Sequence, residues 1–199
     1  SDFPGVICND TVATDALPVS LHVAPRSPSE HCVRVVGVGP GVSKIEAVIK
    51  ATGFHAPYYI GLCAGPKGPA ATREDKAALA KQIVEEAARF GVPAGRILID
   101  MNVFPLGSEA DPSMNFALES LEAIPLIKAI HPDLMTTCGI GNLTNGLASK
   151  PYMRKVLTSV WLDEGRKRGL DAAIINPNHY VFVEDLDPKD YDLGLRAIL

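Results

Sequence analysis

An α/β fold with a parallel sheet covered by helices is predicted, and three observations carry it. Short, continuous apolar runs recur along the chain, each run gives way to an amphipathic stretch at helical spacing, and the connections between them are short. Either a barrel or a doubly wound sheet would satisfy this pattern. Both place their chemistry at the carboxyl ends of the strands. Asp100, Asn142 and Asn176 fall at that position in three successive strands.

The elements follow in order. Val6–Cys8 and Cys32–Val36 read as strands, and Pro18, Pro25 and Pro28 argue against a long helix between them. Ser43 and Glu46 form a capping box opening a helix that carries Ile45, Val48 and Ile49. Tyr58–Cys63 is a buried strand ended by Gly65-Pro66. Thr72 and Asp75 open a helix with Leu79, Ile83, Ala87 and Phe90 on its apolar face and Gly91 as its stop. Arg96–Asp100 is the next strand. Pro112 suits the first turn of a helix carrying Phe116, Leu118, Leu121, Ile124 and Ile127, which Pro125 should bend. Leu134–Cys138 is a third regular strand. Pro151 starts a helix burying Met153, Val156, Leu157, Val160 and Trp161, with Gly169 as its stop. Ala172–Asn176 is a fourth strand, and Asp187-Pro188 begins a last helix.

Composition narrows the function classes. The chain has 199 residues, with 19 basic against 23 acidic, a balance that argues against nucleic-acid binding. With 47% hydrophobic residues it is not a disordered chain, and no apolar run reaches the ~18 residues of a membrane span. The start does not resemble a signal peptide, so a cytoplasmic location is expected. Cys8, Cys32, Cys63 and Cys138 form no C-x-x-C pair and are expected to be reduced thiols. His22, His31, His55, His131 and His179 are scattered, and no protein-bound metal is expected.

Three stretches could carry chemistry. Gly37-Val38-Gly39-Pro40-Gly41 lies between a strand and a helix, but Val42 and Pro40 break the dinucleotide fingerprint, which leaves a structural turn as the simpler reading. Asp100-Met101-Asn102 puts a carboxylate at the end of a buried strand. There it either meets a neutral heterocycle with N–H donors or fixes its own loop. Gly139-Ile140-Gly141-Asn142-Leu143-Thr144-Asn145-Gly146 combines small residues, amides and a hydroxyl. It is either a surface for a flat ligand or a polar turn. No Ser-His-Asp set is apparent.

These residues resemble the pterin-binding methyltransferase family, which includes the methyltetrahydrofolate:corrinoid protein methyltransferases and the folate-binding module of cobalamin-dependent methionine synthase. Ile97–Gly107 resembles the family's sixth-strand segment, with Met101 in place of a proline. Thr137–Thr144 resembles the seventh-strand motif, and Gly141 and Thr144 are variants of it. Lys150-Pro151 stands where the family has Arg-Pro, and Gly169–Pro177 resembles the eighth strand. The basic seventh-strand segment of dihydropteroate synthases, which share the barrel, is missing.

The resemblance implies a TIM-type (β/α) barrel of one domain over residues 1–199, well matched over 55–199 and divergent over 1–54. It implies methyltetrahydrofolate or a related tetrahydropterin as substrate and a cobalamin or other corrinoid carried by a partner protein or domain. The expected assembly is a homo-oligomer or part of a larger complex, with no nucleic acid and no membrane. Asn142 and Asp100 are the implied catalytic residues, with Asn142 next to N5. Asp10, Asn102, Gly139, Gly141, Thr144, Asn145, Lys150 and Asn176 are the expected substrate contacts. Asp10, in Ile7–Thr11, is the counterpart of a third-strand Asp. Val35–Val38 offers no fourth-strand Asn, and the first two strands have no counterpart. The barrel is therefore expected to be incomplete or modified at its N-terminal end. The alternatives are a non-catalytic scaffold subunit beside a corrinoid protein and a dihydropteroate synthase-like enzyme.

Overall fold

The structure, a computed structural model, describes residues 7–9, 31–36, 44–52, 58–66, 68–111 and 113–199. The apolar runs become strands β1 (Ile7–Asn9), β2 (His31–Val36) and β3 (Tyr58–Leu62). A tight hairpin of β4 (Ala64–Gly65) and β5 (Gly68–Pro69) follows, and then β6 (Ile97–Asp100) and β7 (Met135–Thr137). The amphipathic stretches become α1 (Lys44–Thr52), α2 (Arg73–Arg89), α3 (Phe116–Lys128), α4 (Pro151–Lys167) and α5 (Pro188–Ile198).

β1, β2, β3, β6 and β7 form one all-parallel sheet in that order. Every strand therefore lies beside the strand of the preceding βα unit, and the order never reverses. A doubly wound sheet has a point of reversal, and among the described strands this one has none. Crossovers of the usual right hand, all running in one direction, lay their helices on one side of a sheet. The helices do pack in succession, α1 on α2, α2 on α3, α3 on α4 and α4 on α5. Beyond β7 the order continues through a parallel bridge between Gly139 and Ile174, with Ile174 N–H donating to Cys138 O at 2.8 Å.

Among the described residues the sheet is open and no closed barrel is seen; the expectation was a TIM-type barrel incomplete or modified at its N-terminal end. The expected strand 172–176 shrinks to the bridge at Ile174. Among the described residues it has a partner only on its β7 side, Pro177 has no N–H to offer a ladder, and Asn176 instead accepts from Asn178 N–H at 3.0 Å. Asn176 thereby caps the 3₁₀ turn Pro177–His179.

The core lies between sheet and helices. Tyr59, Gly61 and Ile97 meet Ile45, Ile83 and Ala87 there. A methyl group at Gly61 would sit 2.7 Å from Ile83 Cγ2, so the glycine sets how closely α2 approaches the sheet. Trp161 on α4 is fully buried and donates its Nε1–H to Ala117 O of α3 at 3.2 Å.

The helix boundaries follow local chemistry. Thr72 accepts from Asp75 N–H at 3.2 Å, and Gly91 takes φ 78° after the last turn of α2. Asn115, rather than Pro112, marks the start of α3: it accepts from Leu118 N–H at 3.0 Å, and Pro112 lies outside the described residues. Ser43 lies outside them as well. Two expected faces are corrected. The fully buried positions of α2 are Lys76, Ala80, Ile83 and Ala87, while Leu79 and Phe90 are half-buried; Met153 of α4 is exposed. In α2 a buried lysine turns the stripe away from the purely apolar one.

Candidate functional site at the carboxyl edge of the sheet

Parallel register places Leu62, Asp100 and Thr137 side by side at the carboxyl ends of β3, β6 and β7. Asp100 is 3% exposed. Its backbone carbonyl accepts from Cys63 N–H at 2.9 Å, and its Oδ1 accepts from Asn102 N–H at 2.8 Å. That second bond closes a turn in which Asn102 adopts φ 60°, and Asn102 is the only non-glycine residue with positive φ among those described. Asparagine tolerates this region better than most residues, though holding it there still costs roughly 1–2 kcal/mol. The Asn102 Nδ2 is buried with no hydrogen-bond partner. Such an orphan donor in a folded chain calls for an explanation, and a bound ligand is one.

Lys76 is not among the expected site residues. It rises from the first turn of α2, is fully buried, and donates to Ala70 O at 2.8 Å, Met101 O at 2.7 Å and Asn102 O at 3.2 Å. Its ammonium also stands 5.1 Å from the centroid of the Phe104 ring. Burial pulls its pKa down to about 8, against the opposing pull of Cys63, Asp100 and Glu119. The signal was present in the sequence: Lys76 shares a helical face with Ala80, Ile83 and Ala87, where packing alone would have placed an apolar side chain.

The second half of the edge comes from β7. Gly139 leads into a 3₁₀ segment, Ile140–Leu147, kinked at Thr144. Two backbone bonds tie the end of β7 and this loop to the stretch after β6, Met101 N–H to Thr137 O at 3.2 Å and Leu106 N–H to Leu143 O at 3.0 Å. Asn142 is exposed, and its Oδ1 accepts weakly from Asn145 Nδ2 at 3.4 Å. A Cβ at Gly141 would meet no atom within 4 Å, so that backbone faces open space. Thr144 is buried, with its Oγ1 within 3.4 Å of Arg154 Nε from the first turn of α4.

Asp100, Asn102, Gly139, Gly141, Asn142, Thr144 and Asn145 are thus brought to one edge on two tied loops. Lys150 is exposed at the start of α4, where its side chain makes no capping bond, and Asn176 is spent on its own turn. Asp10 and the Gly37–Gly41 turn lie outside the described residues. Cys63 and Cys138 are buried free thiols. Burial pushes Cys63 up to about 12 and raises Cys138 strongly as well, which leaves neither as a thiolate nucleophile near neutrality. Among the described residues no group of three or more His, Cys, Asp or Glu side chains converges as a metal site, and no helix is long and apolar enough to cross a membrane. A groove of about 470 Å³ between α4 and residues 175–184 contains none of the expected site residues.

Fold and site together define an α/β chain whose polar, amide-rich strand edge suits a small neutral ligand better than a nucleophilic attack. No protein-family model matches the chain. It is 33% identical over 163 residues to a methionine synthase of Mycobacterium tuberculosis and 32% identical over 163 residues to that of Mycobacterium leprae. Each match covers 81% of this chain and 13% of the relative. A methylcorrinoid:tetrahydrofolate methyltransferase of Eubacterium limosum is 33% identical over 106 residues, 53% of this chain and 36% of that protein. These matches support a folate-binding methyltransferase family for the chain. It spans about an eighth of the length of the methionine synthases it matches.

Proposed function

We propose that the chain binds a methyl-tetrahydropterin, methyltetrahydrofolate or a close analogue, and takes part in exchanging its N5 methyl group with the cobalt of a corrinoid on a partner protein or domain. The observation that carries this reading is the Asp100–Asn102 turn with its buried, unpartnered Asn102 Nδ2, tied to the Asn142 loop, in a chain similar to an enzyme named for that chemistry. The sequential parallel sheet supports a pterin-binding barrel of which the described strands form an arc. In this reading residues 1–199 act as one domain, 55–199 carry the motifs, and the protein works in the cytoplasm as a homo-oligomer or within a larger assembly.

The roles follow from donor and acceptor chemistry. Asp100 accepts N–H groups of the pterin edge, and the Asn102 amide donates to a ring acceptor. Gly139 and Gly141 let the flat ring lie against the backbone, and Thr144, Asn145, Lys150 and Asn176 complete its surroundings. Asp10 takes a further N–H group of the ring. N5 is a poor leaving group until charge on it is stabilised. An Asn142 amide whose hydrogen bond to N5 strengthens as the methyl departs acts selectively on the transition state. A corrinoid supplies the reduced cobalt that accepts the methyl group, and no protein nucleophile is required. The name of the Eubacterium limosum relative gives the same exchange in the opposite direction.

Asn142→Ala is expected to lower methyl transfer between methyltetrahydrofolate and free cobalamin by ~100-fold, in line with loss of one transition-state donor. Asp100→Asn, which keeps an acceptor for Asn102 N–H, should weaken pterin binding measured by calorimetry. Wild-type rates and affinities in both variants would discard the assignment.

A further inference from the structure

Lys76 has no place in the methyl-transfer scheme, yet it is the site's most unusual group. A fully buried lysine normally faces a carboxylate. Here the three N–H bonds of the ammonium go to three backbone carbonyls, Ala70 before α2 and Met101 and Asn102 after β6. Two of the three acceptors belong to the turn that holds Asn102 at φ 60° and leaves its Nδ2 buried without a partner. An apolar residue at the same helical position would pack with Ala80, Ile83 and Ala87 but would leave those carbonyls without a donor. From these contacts we infer that Lys76 is the positioning residue of the site, clamping the Met101–Asn102 turn so that the Asn102 amide is held ready to donate to an acceptor on the bound heterocycle.

The inference rests on the proposed tetrahydropterin binding, and its test separates the two. Backbone amide exchange on the ligand-free protein reads the clamp alone. In Lys76→Met, exchange at Met101 and Leu106 should quicken at least tenfold beyond any change in global stability, because those amides anchor the loop to Thr137 and Leu143. Calorimetric titration with methyltetrahydrofolate then reads its use. Asn102→Gly keeps the left-handed backbone and deletes the side-chain donor. It should weaken binding ~10-fold, Lys76→Met should weaken it at least as much, and the double variant should bind no worse than the weaker single one. Additive losses, or unchanged exchange in Lys76→Met, would overturn the positioning role. Failure of the wild-type protein to bind methyltetrahydrofolate would overturn the functional reading and the use of the turn with it, while leaving the clamp itself measurable.

If Lys76→Met does not fold, the wild-type protein still decides. Deprotonating the ammonium leaves two N–H groups for three carbonyls, so affinity should fall several-fold between pH 7 and 9.5. The ionisable groups facing Lys76 are Cys63 at the end of β3, Asp100 of β6 and Glu119 of α3. Cys63 titrates near 12 and Glu119 lies below the ordinary carboxylate value, so neither changes charge in this window. A flat affinity profile across it would reject the clamp.

Discussion

Glu119 shows how one side chain in this fold answers two needs. Its carboxylate accepts from Arg73 N–H, a donor of the first turn of α2 that the helix itself cannot satisfy, and pairs with the Arg73 guanidinium. The Arg73 bonds hold Glu119 below the usual carboxylate value, against a smaller upward push from burial. A carboxylate depressed in the folded state contributes stability that is present above its unfolded value, near 4.5, and is lost as the pH falls through the folded one. Glu119→Gln should therefore flatten the acid limb of the stability curve below about pH 5 while lowering stability at pH 7 by ~1 kcal/mol. Urea unfolding of both proteins at pH 7 and pH 4 checks the sign. A larger loss at pH 4 than at pH 7 would contradict it. Of the site residues, Asp100, Asn102 and Asn142 could be picked out from their places after apolar strands. Lys76 was harder to pick out, because a lysine on a surface helix reads as solvent-facing, and only its sharing a face with Ala80, Ile83 and Ala87 marked it.

The elements follow from periodicity wherever both neighbours of a strand are present. β3, β6 and β7 occupy the apolar runs with one- or two-residue shifts, and the Thr72 and Asp187 caps stand where local chemistry places them. Ala172–Asn176 has the same apolar character but remains a single bridge, since a ladder needs partners that a run of apolar residues does not reveal. The face of α2 was only half legible: Ile83 and Ala87 are buried as expected, but Leu79 and Phe90 are half-buried, and Lys76 and Ala80 take the other buried positions. Gly61 explains how tightly that helix sits. Gly61→Ala must displace Ile83 or the helix and is expected to cost ~1–3 kcal/mol, as overpacking generally does. Partial recovery on adding Ile83→Val would be the check, because that change removes a methyl group beside the new one. Thermal unfolding of the single and double variants measures it.

Over the whole molecule, the sequential parallel order was only half visible beforehand. Alternating apolar runs and helical stretches predict a parallel sheet, but they do not say whether its order reverses, and only the strand pairing decides that. A barrel incomplete or modified at its N-terminal end was expected from resemblance, and the described strands form an open parallel sheet. Ligand binding should be felt by the entire fold. Methyltetrahydrofolate at a hundred times its Kd should stabilise the protein by ~2.7 kcal/mol and raise its melting temperature by several degrees. An unmoved melting curve, with Asn142→Ala as the comparison, would count against binding at this edge.

The winding has one more consequence. Because each strand lies beside the strand of the preceding unit, a break in the exposed loop at 107–111 divides the chain without cutting through an element. The two fragments would meet chiefly along the β6–β7 ladder, the α2–α3 face and the Arg73–Glu119 pair. Asp100, Asn102 and Lys76 would lie on one fragment and Asn142 on the other. The folded site would then serve as a reporter of reassembly, able to tell two separately produced halves that have found each other from two that have not.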